Sequence, residues 1–73
     1  MGVYHNIQRE LAILKYASEN GYRVASQFVD GSKVMFTVDE DHLEPMKKFC
    51  IDNYGSCEIV EEVGSVIMCR VNL

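Results

Sequence analysis

The chain has no tryptophan, one proline and two histidines in 73 residues. It also lacks any stretch rich in glycine, serine or proline, so nothing in it reads as a linker or a low-complexity tract. No apolar run approaches the ~18–20 residues that a membrane-spanning helix needs. His5 and His42 are the only side chains that titrate near neutrality without a shifted pKa, which leaves little material for acid–base catalysis. No Ser-His-Asp arrangement, phosphate-cradling glycine loop or cofactor motif is present. These absences point away from an enzyme and from a bound cofactor.

Cysteine is scarce in a telling way. Cys50, Cys57 and Cys69 make an odd count, and no two have C-x-x-C spacing. A short secreted domain stapled by disulfides would carry an even set. A tight zinc site would bring two ligands together on a turn, and no such pair exists, so no metal site is expected. The cysteines read instead as small core hydrophobes. Basic residues are few as well: seven against eleven acidic ones, a net charge of −4. That balance argues against nucleic acid as a partner. The first residues, Met-Gly-Val-Tyr-His-Asn, lack the basic and apolar regions of a secretion signal, and Asn6 stands where a myristoylation signal usually has Ser or Thr. The expectation is a cytoplasmic protein, held by no membrane.

What is present is a core. Hydrophobic residues make up 48% of the chain, too many for a disordered one. From His5 to Gly21 the pattern is helical, with Ile7, Leu11 and Leu14 on one face, Ile13 and Ala17 on its flank, Asn6 as N-cap and Asn20-Gly21 as the stop. Tyr22–Val29 and Lys33–Val38, joined at Asp30-Gly31-Ser32, read as a β-hairpin. A second helix runs from Asp39 to Tyr54, its regular part starting near Glu44 because Pro45 fits only in a first turn. A second hairpin pairs Ser56–Glu62 with Val66–Leu73.

Sliding the chain by 33 residues lays Ile13–Val38 over Met46–Val71 with six identities in 26 positions, among them Gly31/Gly64, Ser32/Ser65 and Met35/Met68. Both Gly-Ser turns and both polar helix ends fall in register. The chain therefore reads as one α+β domain over residues 1–73, of order αββαββ. Its two αββ units form a four-stranded antiparallel sheet with both helices on one face.

Strand alternation supports this. Val24, Phe28, Val34, Phe36 and Val38 are even-numbered, whereas Cys57, Ile59, Ile67, Cys69 and Val71 are odd, as an odd offset requires. Facing residues must share a side, which favours three-residue connections centred on Gly31 and Gly64. The strand Val66–Leu73 is expected to offer an edge that pairs between chains.

The opposite sheet face would then carry Val29, Met35, Val60, Val66, Met68 and Arg70, besides further polar residues. A face open to water should be mainly polar, so this interleaving of apolar side chains and charge suggests docking. The occupant would be a protein partner or a second copy of the chain in a homodimer. Asp39, Glu40, Asp41 and Glu44 form an acidic surface at the start of the second helix, either dipole-stabilising residues or part of a nucleic-acid mimic.

A different reading comes from Arg9–Gly21, "RELAILKYASENG", which resembles the first helix of winged-helix domains and would imply a DNA-binding regulator. That fold needs further helices where Tyr22–Val38 alternates like strands. The favoured expectation is a small acidic, non-catalytic interaction module. Such chains share their format with phage-type accessory proteins that inhibit or modulate host or defence proteins.

Overall fold

The computed structural model describes residues 3–72, in the order α1 (Val3–Asn20), β1 (Val24–Val29), β2 (Lys33–Asp39), a 3-10 turn (Glu40–His42), α2 (Leu43–Tyr54), β3 (Glu58–Val63) and β4 (Val66–Asn72). The strands form one antiparallel sheet in the order β1-β2-β4-β3. Both helices lie on one face, α1 over β1 and β2, and α2 over β2 and β4. This is the expected αββαββ arrangement. It leaves no place for a winged helix, whose second helix would have to replace the β1–β2 hairpin.

Strand pairing repeats at the offset of 33. Ala25 pairs with Thr37 and Glu58 with Arg70; Ser26 pairs with Phe36 and Ile59 with Cys69. Between the two hairpins, β2 and β4 pair so that Phe36 faces Cys69, its own counterpart in the repeat. Directly above, the counterparts Tyr16 and Phe49 stack across the helix pair, with ring centroids 4.2 Å apart and planes 16° from parallel. A pseudo-twofold axis perpendicular to the sheet passes through both pairs.

The hairpins differ from the sequence expectation at their tips. Asp30 N–H donates to the Lys33 carbonyl and Val63 pairs with Val66, so only two residues, Gly-Ser, form each connection, tighter than the three-residue form. Two-residue turns alone would put unlike faces opposite each other further down the ladder. A β-bulge in each outer strand, at Gln27 and at Val60, restores the alternation. The bulges are themselves repeat-related.

The core fills the space between helices and sheet. Val34, Phe36 and Val38 from β2, and Ile67, Cys69 and Val71 from β4, are buried beneath Ile13, Ala17, Met46 and Cys50. The buried stripe of α1 is Asn6, Ile13 and Ala17, rotated from the expected Ile7-Leu11-Leu14 face. The cause is a polar anchor. Asn6 is no N-cap but lies inside the helix, 1% exposed, where its Nδ2 donates to the Asp30 carbonyl at 2.6 Å and its Oδ1 accepts from Arg9 Nη1. Tyr4, Ile7 and Leu11 consequently face outward.

The symmetry is broken at one flank. α1 has 18 residues and α2 only 12. The extra turns of α1 reach along β1, where Asn6 holds Asp30 and Glu10 accepts from the Ser26 hydroxyl. The corresponding residues before α2 are consumed by the end of β2 and the 3-10 turn. β3 is therefore exposed along its whole length, and Ile59, expected in the core, is 42% exposed. β4 is an interior strand paired on both sides, so the edges of the sheet are β1 and β3.

Candidate functional site

The sheet face away from the helices is the candidate site. On β2 it carries Lys33, Met35, Thr37 and Asp39, and on β4 Val66, Met68, Arg70 and Asn72, because the alternate residues of both strands are buried under the helices. Register fixes the outer strands. Phe28 lies beside Met35, Glu61 beside Met68, and Val63 beside Val66.

Of the six residues expected to bind a partner, Met35, Val66, Met68 and Arg70 share this face. Val29 does not: paired with Val34, it lies on the helix side and packs against the core. Val60 is the unpaired bulge residue of β3, exposed at the sheet edge. Phe28 and Val63 take their place. Phe28 was expected in the core, and the bulge at Gln27 turns it to the open face, 47% exposed. Alternation alone did not show this, because a three-residue connection satisfies it without a bulge. A Gly-Ser hairpin turn of two residues is incompatible with simple alternation over both full strands, and that conflict implies a bulge.

The centre of the face is symmetric. Met35 pairs with Arg70 and Met68 with Thr37, the two pairs being exchanged by the pseudo-twofold axis. Each methionine is half-buried by its neighbours. Around them the charges are tied down. Lys33 Nζ lies 5.3 Å from the Phe28 ring centroid and 3.6 Å from the Asp30 carboxylate. Arg70 Nη2 reaches Glu58 at 3.4 Å, and Asn72 Nδ2 donates to the same carboxylate. Arg70 Nε is buried and has no hydrogen-bond partner among the described residues.

At one end of the face Arg23, Ala25, Thr37, Asp39, Ser65 and Val66 line a shallow cleft of about 310 Å³. Its backbone is closed by Asp39 N–H donating to the Arg23 carbonyl and Glu40 N–H to that of Ser65. His42 stands behind it, its Nδ1 accepting from Arg23 N–H at 3.1 Å, and is thereby occupied in holding the chain.

The acidic residues at the start of α2 have a local role in part. The Asp39 carboxylate accepts from Asp41 N–H at 3.0 Å and caps the 3-10 turn, while Glu40, Asp41 and Glu44 are exposed. Among the described residues no group of three or more His, Cys, Asp or Glu side chains is arranged to hold a metal ion, and no helix is long and apolar enough to cross a membrane. No family model, curated protein or solved structure matches the chain.

Proposed function

We propose that the chain is a non-catalytic protein-interaction module that works by laying the open face of its sheet against another protein and inhibiting or modulating it. The observation that carries this reading is the composition of that face. Phe28, Met35, Val63, Val66 and Met68 stand together where a water-facing sheet would be polar. Methionine adapts its shape to a contacting surface, and two of them hold the symmetric centre. Arg70 beside Met35 supplies a guanidinium that can pair with a carboxylate of the partner.

The test is a double substitution, Met35→Asp with Met68→Asp. Both side chains point away from the core, so the circular dichroism spectrum and thermal transition should stay close to wild type. A partner captured from the native host by the wild-type chain should be lost. Sedimentation of the purified protein separates a second copy of the chain from a different partner. Retention of the same partner by the variant would reject the face.

Nucleic-acid mimicry has less support. Asp39 is engaged by the Asp41 backbone and Glu58 by Arg70 and Asn72, which leaves a mild acidic field. Charge reversal at Glu40, Asp41 and Glu44 should leave partner capture intact, whereas a mimic would lose it with a steep dependence on salt.

A further inference from the structure

The two edges of the sheet are unlike. β1 and β3 are counterparts in the repeat, and each ends the sheet on its own side. Where β3 has Glu58, Glu61 and Glu62, β1 has Ala25, Phe28 and Val29. Charge along an edge strand keeps copies of a protein from pairing through it. β3 has that protection, whereas β1 has no charged residue from Val24 to Val29. Both strands have a bulge, so the bulge does not distinguish them.

The helices differ in the same sense. Tyr4, Ile7 and Leu11 are exposed on α1, and the half-buried Leu14 continues their ridge. The counterparts of Ile7, Leu11 and Leu14 are Glu40, Glu44 and Lys47, so the fold itself does not require an apolar ridge there. At ~100° per residue the ridge is centred ~120° from the buried stripe of Asn6, Ile13 and Ala17. It lies on the side away from Tyr16, whose ring stacks on Phe49 of α2. The ridge therefore overhangs the β1 edge.

We propose that the chain forms a twofold homodimer in which β1 pairs antiparallel with β1 of a second copy, and the two α1 ridges pack on each other beside the joined strands. The coincidence of edge and ridge selects this occupant. An added peptide strand would cover the edge and leave the ridge bare, and a lone helix would do the reverse. A second copy presents a strand and a helix at matching heights, because α1 lies over β1 and β2. With strands ~4.8 Å apart, a twofold axis just outside β1 sets α1 and its image ~10 Å apart, the distance at which helices pack. A strand edge alone falls short of the ~800 Å² per partner typical of a stable dimer, and the ridge adds to it.

Charge and backbone agree with this pairing. No charged side chain lies in the ridge or in β1, and Glu10, on the sheet side of the ridge, accepts from the Ser26 hydroxyl. At β3 the same symmetry would set glutamates against glutamates. Asp39 N–H donates to the Arg23 carbonyl, so antiparallel alternation directs the N–H and C=O groups of Val24 and Ser26 away from β2. The dimer joins two four-stranded sheets with both open faces on one side, so the proposed docking face stays free.

The experiment is sedimentation equilibrium of the intact chain, with amide hydrogen exchange read by NMR. The wild-type chain should be dimeric at submillimolar concentration, with the Val24 and Ser26 amides protected. Ile7→Glu with Leu11→Glu gives α1 the residues of its own counterpart positions at exposed sites. This variant should keep its circular dichroism spectrum, raise the dimer dissociation constant roughly tenfold or more and release the two amides. Met35→Asp with Met68→Asp should stay dimeric, which separates this interface from the open face. Should the helix variant lose its spectrum, wild-type protection and the methionine variant decide. A monomeric wild type, a dimer in which Val24 and Ser26 exchange freely, or a dimer that the methionine variant loses would overturn the proposal. So would a well-folded helix variant that stays fully dimeric.

Discussion

Phe36 and Cys69, 33 residues apart, face each other across the β2–β4 ladder as counterparts in the repeat, with the pseudo-twofold axis between them. A large ring meets a small thiol at the place in the sheet where each repeat unit packs on its own image. Two equal phenyl rings would crowd the axis, and two thiols would leave a hole.

Truncation there should therefore be severe. Phe36 is among the largest fully buried side chains. Phe36→Ala should cost about 3–5 kcal/mol. A chain of this size rarely has more than about 3–5 kcal/mol of net stability, so the variant should be largely unfolded at 25 °C. Circular dichroism with a urea titration checks this. A cooperative transition near the wild-type midpoint would show that the core closes over the gap.

The bulges make a sharper prediction. Removing Gln27 leaves Ser26 opposite Phe36 and Phe28 opposite Met35 as consecutive pairs of a regular ladder. That deletion should fold, at a cost on the order of 1 kcal/mol and a fall in Tm of roughly 4–8 °C. Removing Thr37 from the unbulged β2 should abolish cooperative unfolding, because one side of the strand must then exchange its buried and open faces. Thermal scans of the two deletions distinguish them directly.

The two hairpin turns have the same Gly-Ser letters and different physics. Gly64 has φ +62°, a conformation costly for any residue with a Cβ, whereas Gly31 is not in the positive-φ region. Gly64→Ala should destabilise by on the order of 1 kcal/mol, and Gly31→Ala should stay within about 0.5 kcal/mol of wild type. Equal losses in a denaturant titration would contradict the assignment.

The first turn is held instead by Asp30. Its Oδ1 accepts from Ser32 N–H at 2.8 Å, Ser32 Oγ at 2.9 Å and Lys33 N–H at 3.0 Å. These bonds, led by the Ser32 backbone and hydroxyl, hold the carboxyl below its ordinary value. A depressed folded pKa stabilises fully above the unfolded value, ~3.9, and the contribution fades as pH falls through the folded one. In an NMR titration the Ser32 and Lys33 amide signals should move together with Asp30, at a midpoint below that of an ordinary aspartate. Asp30→Asn should remove that step. A midpoint at or above the ordinary value would contradict the turn.

Element order, sheet and helix placement were legible in the sequence because each rests on local periodicity and turn residues. The burial of Cys50 and Cys69 followed from local periodicity, which reads the cysteines as small core hydrophobes. What could not be read were effects that act across elements. The Asn6–Asp30 contact rotates α1 and exposes Ile7 and Leu11, although their spacing is that of a buried face. The bulges at Gln27 and Val60 move Phe28 out and Val29 in, and a period of two carries no mark of an inserted residue. Strand order was equally hidden. A final strand that looks like an edge becomes interior once each hairpin pairs through its second strand. The candidate face kept Met35, Val66, Met68 and Arg70 because β2 and β4 are the regular strands.

The docking face is tested most directly by methyl NMR of the chain labelled at methionine, titrated with the partner it retains. Met46 is fully buried between α2 and the sheet and serves as an internal control. Met35 and Met68 methyl signals should shift or broaden on binding while that of Met46 stays in place. Unmoved Met35 and Met68 signals at saturation would contradict the account and exclude the open sheet face as the interface.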